Sequence, residues 1–379
     1  MKALIAGGGI AGLATGIALR DAGFEVDVFE RSDELREIGA GLMIWPNGAR
    51  ALHALGVTIN SLTLRHISIC DWRGRQLVDY PIKAISERYG YEVGFVHRAD
   101  LLTALAVRFG AEGLHLGADI SGYEYDEAGI RLVLPDQTTV AGDLVIGADG
   151  VRSAVRRQLI GDGDPEYLGS TIWRGIATTD SIPLAAGGGV NWFGRGSEFL
   201  AFHLPNHRIY WAGVTKAPRD EEAGVGGHKA DLVKHFGQWP DPVPGLIAAS
   251  EAGAILRNDM YDRAPARCWS GDRVTLVGDA AHPMTPNMGQ GACQALEDAV
   301  ALGNSLKRAT SLSMAFGLYE RQRLRRANRV VAMSRQATRG IQIDNPILCV
   351  LRDTFMRALP QRLVLRTLDA TLAASSAVG

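Results

Sequence analysis

Gly7-Gly8-Gly9-Ile10-Ala11-Gly12 forms a Gly-x-Gly-x-x-Gly run, and an acidic residue, Glu30, follows eighteen residues beyond Gly12. The chemistry of such a run is the reception of a pyrophosphate. Gly7 permits a tight turn, Gly9 lets a phosphate reach the backbone, and Gly12 allows a helix to pack close to a strand. The N-terminus of that helix then attracts the negative charge. A carboxylate at Glu30, at the end of a second strand, can accept hydrogen bonds from ribose hydroxyls. The run by itself suits NAD and FAD equally.

A second segment discriminates between them. Gly278-Asp279-Ala280-Ala281-His282-Pro283-Met284-Thr285-Pro286-Asn287-Met288-Gly289-Gln290-Gly291 follows an apolar run and leads into a helical stretch. Asp279 at a strand end could hold a polyol such as a ribityl chain. The Gly289-Gln290-Gly291 turn could aim backbone N–H groups at the edge of a flavin ring that becomes negative on reduction. Pro283 and Pro286 would stiffen the loop beside such a ring.

Elements must position these residues. Residues 1–7 read as a buried strand, 12–22 as a helix and 24–30 as a second strand, the length of one βαβ unit. Further helices are expected over 47–55 and 99–109. The short apolar runs 144–148 and 274–277 end in Gly/Asp turns and would join the first sheet. Between about Tyr167 and Met260 the pattern alternates, as in 199–204 and 208–214, which predicts a mostly antiparallel second sheet. Beyond Gly291 the composition turns helical, over 297–307, 313–338 and a final pair after Asn345-Pro346. That pair would form a dimer face or cover the sheet.

The segments at residues 278–291 resemble the GD motif of class A flavoprotein monooxygenases, the p-hydroxybenzoate hydroxylase-like family. Asp143 through Arg156, containing Asp149-Gly150, resembles the family's DG motif, associated with FAD and NAD(P)H. Val96-His97-Arg98-Ala99-Asp100-Leu101 resembles the segment whose arginine contacts FAD, and Gly39-Ala40-Gly41-Leu42 with Pro46-Asn47-Gly48 resembles the loop after the ribose acid. The resemblance runs from about Lys2 to Arg326 and lies nearest the compact members such as urate, salicylate or hydroxybenzoate hydroxylases.

It implies an α/β fold in which a Rossmann-like FAD-binding domain (1–70, 90–165, 265–340) is interleaved with a mostly antiparallel β-sheet substrate domain (71–89, 166–264), followed by C-terminal helices (341–379). The cofactor-binding residues expected are Gly7, Gly9, Ala11, Gly12, Glu30, Arg31, Gly41, Arg98, Asp149, Asp279, Pro286, Gly289, Gln290, Gly291 and Ala292. The implied reductant is NADPH or NADH. Gly187-Gly188-Gly189, Gly194-Arg195-Gly196 and Gly224-Val225-Gly226 lack a third glycine, in keeping with a family that binds the reductant only transiently.

By the same resemblance NAD(P)H reduces the flavin, O2 adds at flavin C4a, and the distal oxygen of the hydroperoxide passes to an electron-rich carbon of an aromatic or polycyclic small molecule. Epoxidation or hydroxylation of a larger natural-product scaffold stands beside this, as does a flavin-dependent reductase or dehydrogenase without oxygen insertion. The catalytic candidates come from the second sheet. Arg174, beside Trp173, could hold an anionic substrate, and His203 or Tyr210 could serve as a base. Trp45, Trp173, Trp192, Phe202 and Trp211 would suit a flat substrate or a core. Urate hydroxylase-like members carry an arginine on the strand matching 197–202, where this chain has Ser197, Glu198 and Phe199, which argues against urate-type chemistry.

Composition bounds the rest. With 379 residues, 46% of them hydrophobic and 21% charged, the chain can bury a large core. A net charge of -1 argues against nucleic acid as a partner. The arginines 321, 323, 325, 326 and 329 read as a solvated or salt-bridged helix face. Four scattered cysteines suggest neither zinc nor disulfides, and the N-terminal apolar run is too short for a signal peptide or membrane span. A cytoplasmic monomer or homodimer is expected.

Overall fold

The computed structural model describes residues 1–35, 41–126, 129–178, 182, 184–185 and 187–372. Lys2–Ala6, Glu25–Glu30, Leu114–Leu116, Leu144–Gly147 and Val274–Leu276 form a parallel sheet. Its order is Val274–Leu276, Leu144–Gly147, Lys2–Ala6, Glu25–Glu30, Leu114–Leu116. Ala3, Leu4, Ile5 and Ala6 are fully buried, as expected of a strand covered on both faces. Helices Ile10–Asp21 and Gly291–Arg308 pack closely on one another beside this sheet.

The second sheet has seven strands, in the order Leu256–Asp262, Glu166–Thr178, Arg208–Lys216, Ser197–Leu204, Gly188–Phe193, His66–Asp71, Gln76–Tyr80. All neighbours are antiparallel except Gly188–Phe193 with His66–Asp71. The sheet thus takes residues 66–70, placed on the nucleotide side of the boundary expected from sequence. The 167–260 stretch also contains two helices, Gly227–Phe236 and Val243–Ala249, which cover one face of the sheet.

Period two divides this sheet into two surfaces. Phe199, Trp211, Trp173 and Trp192 point to one side, where Phe236 and Leu246 complete a closed core. Leu200, Phe202, Tyr210 and Ile172 point to the other, toward Trp45 and Phe95. The C-terminal helices Pro346–Arg357 and Gln361–Leu372 pack against Gln76–Tyr80, and the second also against the long helix Leu312–Ile341. They cover the sheet, while Ile347, Leu351 and Phe355 remain exposed. No helix among the described residues is long and apolar enough to cross a membrane.

Candidate active site

The glycine run sits between the first strand and its helix. Gly7 has φ +102°, and a Cβ there would meet the Ala148 carbonyl oxygen at 2.4 Å. A Cβ on Gly12 would lie 1.8 Å from the Gly7 carbonyl oxygen, whereas one on Gly9 would meet nothing within 4 Å. Gly9 is the N-cap of helix Ile10–Asp21, with no side-chain cap and no acidic residue in the first turn. The helix therefore offers unsatisfied N–H groups and its positive end to open space, which fits a pyrophosphate. Glu30 lies alongside, its Oε2 accepting from the Gly8 N–H at 2.7 Å and its Oε1 from the Ser32 N–H at 3.0 Å. Both oxygens keep lone pairs for a ribose. Arg31 is exposed just after this strand, while Gly39 and Ala40 lie outside the described residues.

The second motif reaches the same groove. A Cβ on Gly278 would come within 2.6 Å of the Ala11 Cβ, so the two glycine-rich segments meet at contact distance. Asp279 is exposed and takes no hydrogen bond from the described residues. Surrounding protein pushes its carboxyl above the ordinary range, while the charges of His282 and Arg98 work the other way. Arg98 opens helix Arg98–Phe109 and lies near enough for its charge to act on Asp279. Gly289, at φ +58°, precedes Gln290, the N-cap of Gly291–Arg308, whose first turn through Ala292 holds no acid. The donor set, the open glycine cradle and the two bare helix ends fit FAD.

Two buried clusters hold this frame. Arg156, fully buried, donates to the Ala280 and Ala281 carbonyls and pairs with Asp162 at 2.7 Å. It ties the 149–156 motif to the 278–291 motif. Asp149 itself accepts from Ser153 Oγ and from the Ala154 and Val155 N–H groups. Its carboxylate therefore holds the start of helix Ala154–Ile160. In the second cluster Asp298 accepts from the Gly278 N–H at 2.9 Å, meets His282 Nε2 at 2.5 Å and pairs with Arg323 at 2.7 Å. Burial opposes the Asp298 charge, yet His282 and Arg323 hold its carboxyl below the usual range. Glu297 joins Arg323 and Arg326. The arginine row expected to be solvated or salt-bridged is thus split, with Arg321, Arg325 and Arg329 exposed and Arg323 buried in a salt bridge.

Beside the groove a cavity of about 530 Å³ opens between the second sheet and the 286–289 loop. Gly41, Pro286 and Gly289 line it, with Met43, Trp45, Phe95, Phe202, Tyr210 and, farther out, Met333, Met356 and Leu368. Trp45 donates from Nε1 to the Met288 carbonyl at 3.1 Å and so pins the loop. Of the three catalytic candidates only Tyr210 lines the cavity. Burial pushes its phenol up to about 12, so that it stands in the lining as a neutral hydroxyl. His203 alternates with Phe202 to the opposite face, where its Nε2 lies 3.1 Å from the Leu184 carbonyl. Arg174 bonds Asn258 and lies outside the lining. Trp45 and Phe202 line the cavity, while Trp173, Trp192 and Trp211 belong to the closed core.

Sequence reasoning missed Glu198 as part of this cavity. The residue is 1% exposed, and burial pushes its carboxyl up to about 7, partly offset by a hydrogen bond from Asn287 Nδ2 at 2.8 Å. Its alternation with Leu200 and Phe202 was the available signal.

A family model described as an FAD binding domain matches residues 1–162 and 255–334. The chain belongs to this FAD-binding family of class A flavoprotein monooxygenases. It is 38% identical over 95% of its length, and 94% of the relative's, to an aurachin C monooxygenase/isomerase of Stigmatella aurantiaca. It is 31% identical, over 89% of both chains, to an FAD-dependent urate hydroxylase of Klebsiella pneumoniae. The solved structure of Klebsiella pneumoniae HpxO complexed with FAD and uric acid superposes with a TM-score of 0.92 at 28% identity, covering 99% of this chain and 97% of the other. The flavoprotein is accordingly an oxidoreductase with the expected α/β architecture.

Proposed function

We propose that this monooxygenase uses NAD(P)H and O2 to hydroxylate an aromatic or heteroaromatic small molecule in the 530 Å³ cavity. The observation that carries the reading is the shared wall: Pro286 and Gly289, from the cofactor motif, are also cavity lining. FAD, when bound, supplies the redox chemistry that accepts electrons from NAD(P)H and activates dioxygen. The chain's own residues do the rest. Gly9 and the helix behind it would hold the pyrophosphate, Glu30 and Asp279 would take hydroxyl groups, and the N-terminus of Gly291–Arg308 would offer its positive end to the ring. Phe95, Phe202 and Trp45 stack against a flat ring and exclude water.

A larger substrate is a second reading, favoured by the reach of the cavity to Met333, Met356 and Leu368 and by the name of the aurachin C relative. Cytoplasmic residence belongs to the same proposal, supported by four free cysteines. The test is NAD(P)H consumption by the FAD-loaded protein over phenols, N-heteroaromatics and alkylated polycycles under labelled dioxygen, with mass detection of products. One labelled oxygen in a product is expected. Ligand-stimulated turnover without label would leave a reductase and overturn the proposal.

A further inference from the structure

A carboxyl group does not enter an apolar cavity without cost, since a buried charge lacking a partner is among the most unfavourable groups a fold can hold. Glu198 does so. It stands on strand Ser197–Leu204 with its side chain in the lining. Asn287 Nδ2 donates to Oε2 at 2.8 Å, and Asn191 Nδ2 lies 3.4 Å from Oε1, at the limit of a hydrogen bond. The Thr338 hydroxyl, 2.7 Å from Asn287 Oδ1, fixes the amide so that its N–H faces the carboxyl. Asn191 Oδ1 is itself buried and takes no hydrogen bond from the described residues. Two acceptors thus sit together in the lining with donors too few to satisfy them.

Among the described residues no cation answers Glu198. Tyr210, from the neighbouring strand, and Tyr80, from the far edge of the sheet, are its titratable neighbours, and both phenols are raised by burial and neutral. Arg352 also lines the cavity but bonds Asp353 and the Gly194 and Gly340 carbonyls. Arg174 bonds Asn258.

Resting on the monooxygenase reading, we propose that Glu198 selects a ring that bears an O–H or N–H donor on an otherwise apolar, uncharged substrate, and accepts that proton as oxygen is transferred. The X–H bond breaks, its proton moves to a Glu198 oxygen, and the electron pair left on X enriches the ring carbon that takes the oxygen. Rearomatisation after oxygen transfer releases the ring-carbon proton to solvent, and Glu198 returns its proton to X, which restores the carboxylate. Aromatic carboxylates are excluded, because a second anion beside Glu198 would be buried with no cation to pair it. The raised carboxyl, about 7, places this acceptor where it changes state near neutrality.

The test uses FAD-loaded protein and three probes: a heptyl-substituted hydroxyquinoline, its O-methyl ether and 3-hydroxybenzoate. Binding is read from perturbation of the flavin absorbance, independently of turnover. The hydroxyquinoline should bind at least tenfold tighter than either other probe, and tighter still as pH rises through about 7. Glu198→Gln should retain FAD, lose that discrimination and flatten the pH profile. Preferred binding of 3-hydroxybenzoate, no binding of any probe, or an unchanged pH profile in Glu198→Gln would overturn the proposal. Glu198-dependent binding without labelled-oxygen incorporation would instead sink the monooxygenase reading and leave the recognition standing.

Discussion

Asp298 and Glu198 are both buried carboxyls within reach of the 278–291 segment, yet their surroundings differ in kind. Asp298 meets an imidazole, a guanidinium and a backbone N–H, and its carboxyl stays below the ordinary range. Glu198 meets two amides and rises to about 7. The first arrangement is closed around its carboxylate: both Asp298 oxygens have donors, and these tie the loop beneath the cofactor groove to the helices behind it. The second is open, on the side where a substrate would lie. A buried charge that the fold compensates holds structure in place, whereas one left uncompensated at a cavity wall points to a ligand.

The largest effect should come from breaking the closed cluster. Asp298→Ala removes the carboxylate that meets His282 and leaves the buried Arg323 with Glu297 alone, and urea unfolding should show a loss of about 3–5 kcal/mol. A loss below about 1 kcal/mol would mean that the cluster is not compensated as described. Gly12→Val should follow, since its Cβ would fall 1.8 Å from the Gly7 carbonyl. The expected outcome is protein that carries little flavin after gel filtration, measured by the absorbance ratio of flavin to protein.

Glu198→Gln should sharpen the contrast by moving stability the other way. The folded carboxyl is raised to about 7 from the ordinary 4.5, so the folded state holds the proton more tightly than the unfolded one. The favourable contribution is complete below the ordinary value and is lost as pH rises through about 7. The variant should therefore match the parent in acid and exceed it by on the order of 3 kcal/mol above neutrality, in unfolding curves run across pH. Equal stability at all pH values would contradict the open arrangement. The smallest effects belong to His203→Ala and Arg174→Ala, whose side chains serve Leu184 and Asn258. Each should cost about 1 kcal/mol or less in unfolding and leave kcat/KM within about a factor of two, under 0.5 kcal/mol in the barrier.

The cofactor half was legible because its chemistry is local. A turn, a helix end and an acid at fixed spacing are written in consecutive residues, and Gly7, Gly12 and Glu30 occupy the positions their types require. The cavity was less legible because its walls come from segments as distant as Gly41, Glu198 and Leu368. Period two alone distinguishes Tyr210 from Trp211 and Phe202 from His203, and it says which residues share a face without saying which face is open. His203 drew attention by residue type, yet it alternates with Phe202 onto the opposite face. Glu198 lay between Ser197 and Phe199, and only the absence of a facing cation among the described residues gives it meaning. The motif drew attention to Asp149, but not to the three donors that its carboxylate takes from the following turn.

The contrast between the two carboxyls is tested most directly by infrared difference spectroscopy of the FAD-loaded protein against Glu198→Gln, titrated across neutral pH. A protonated-carboxyl band attributable to Glu198 should disappear as pH rises through about 7, with no such band arising from Asp298. A Glu198 that stays ionised throughout, or an Asp298 that titrates in its place, would contradict the account.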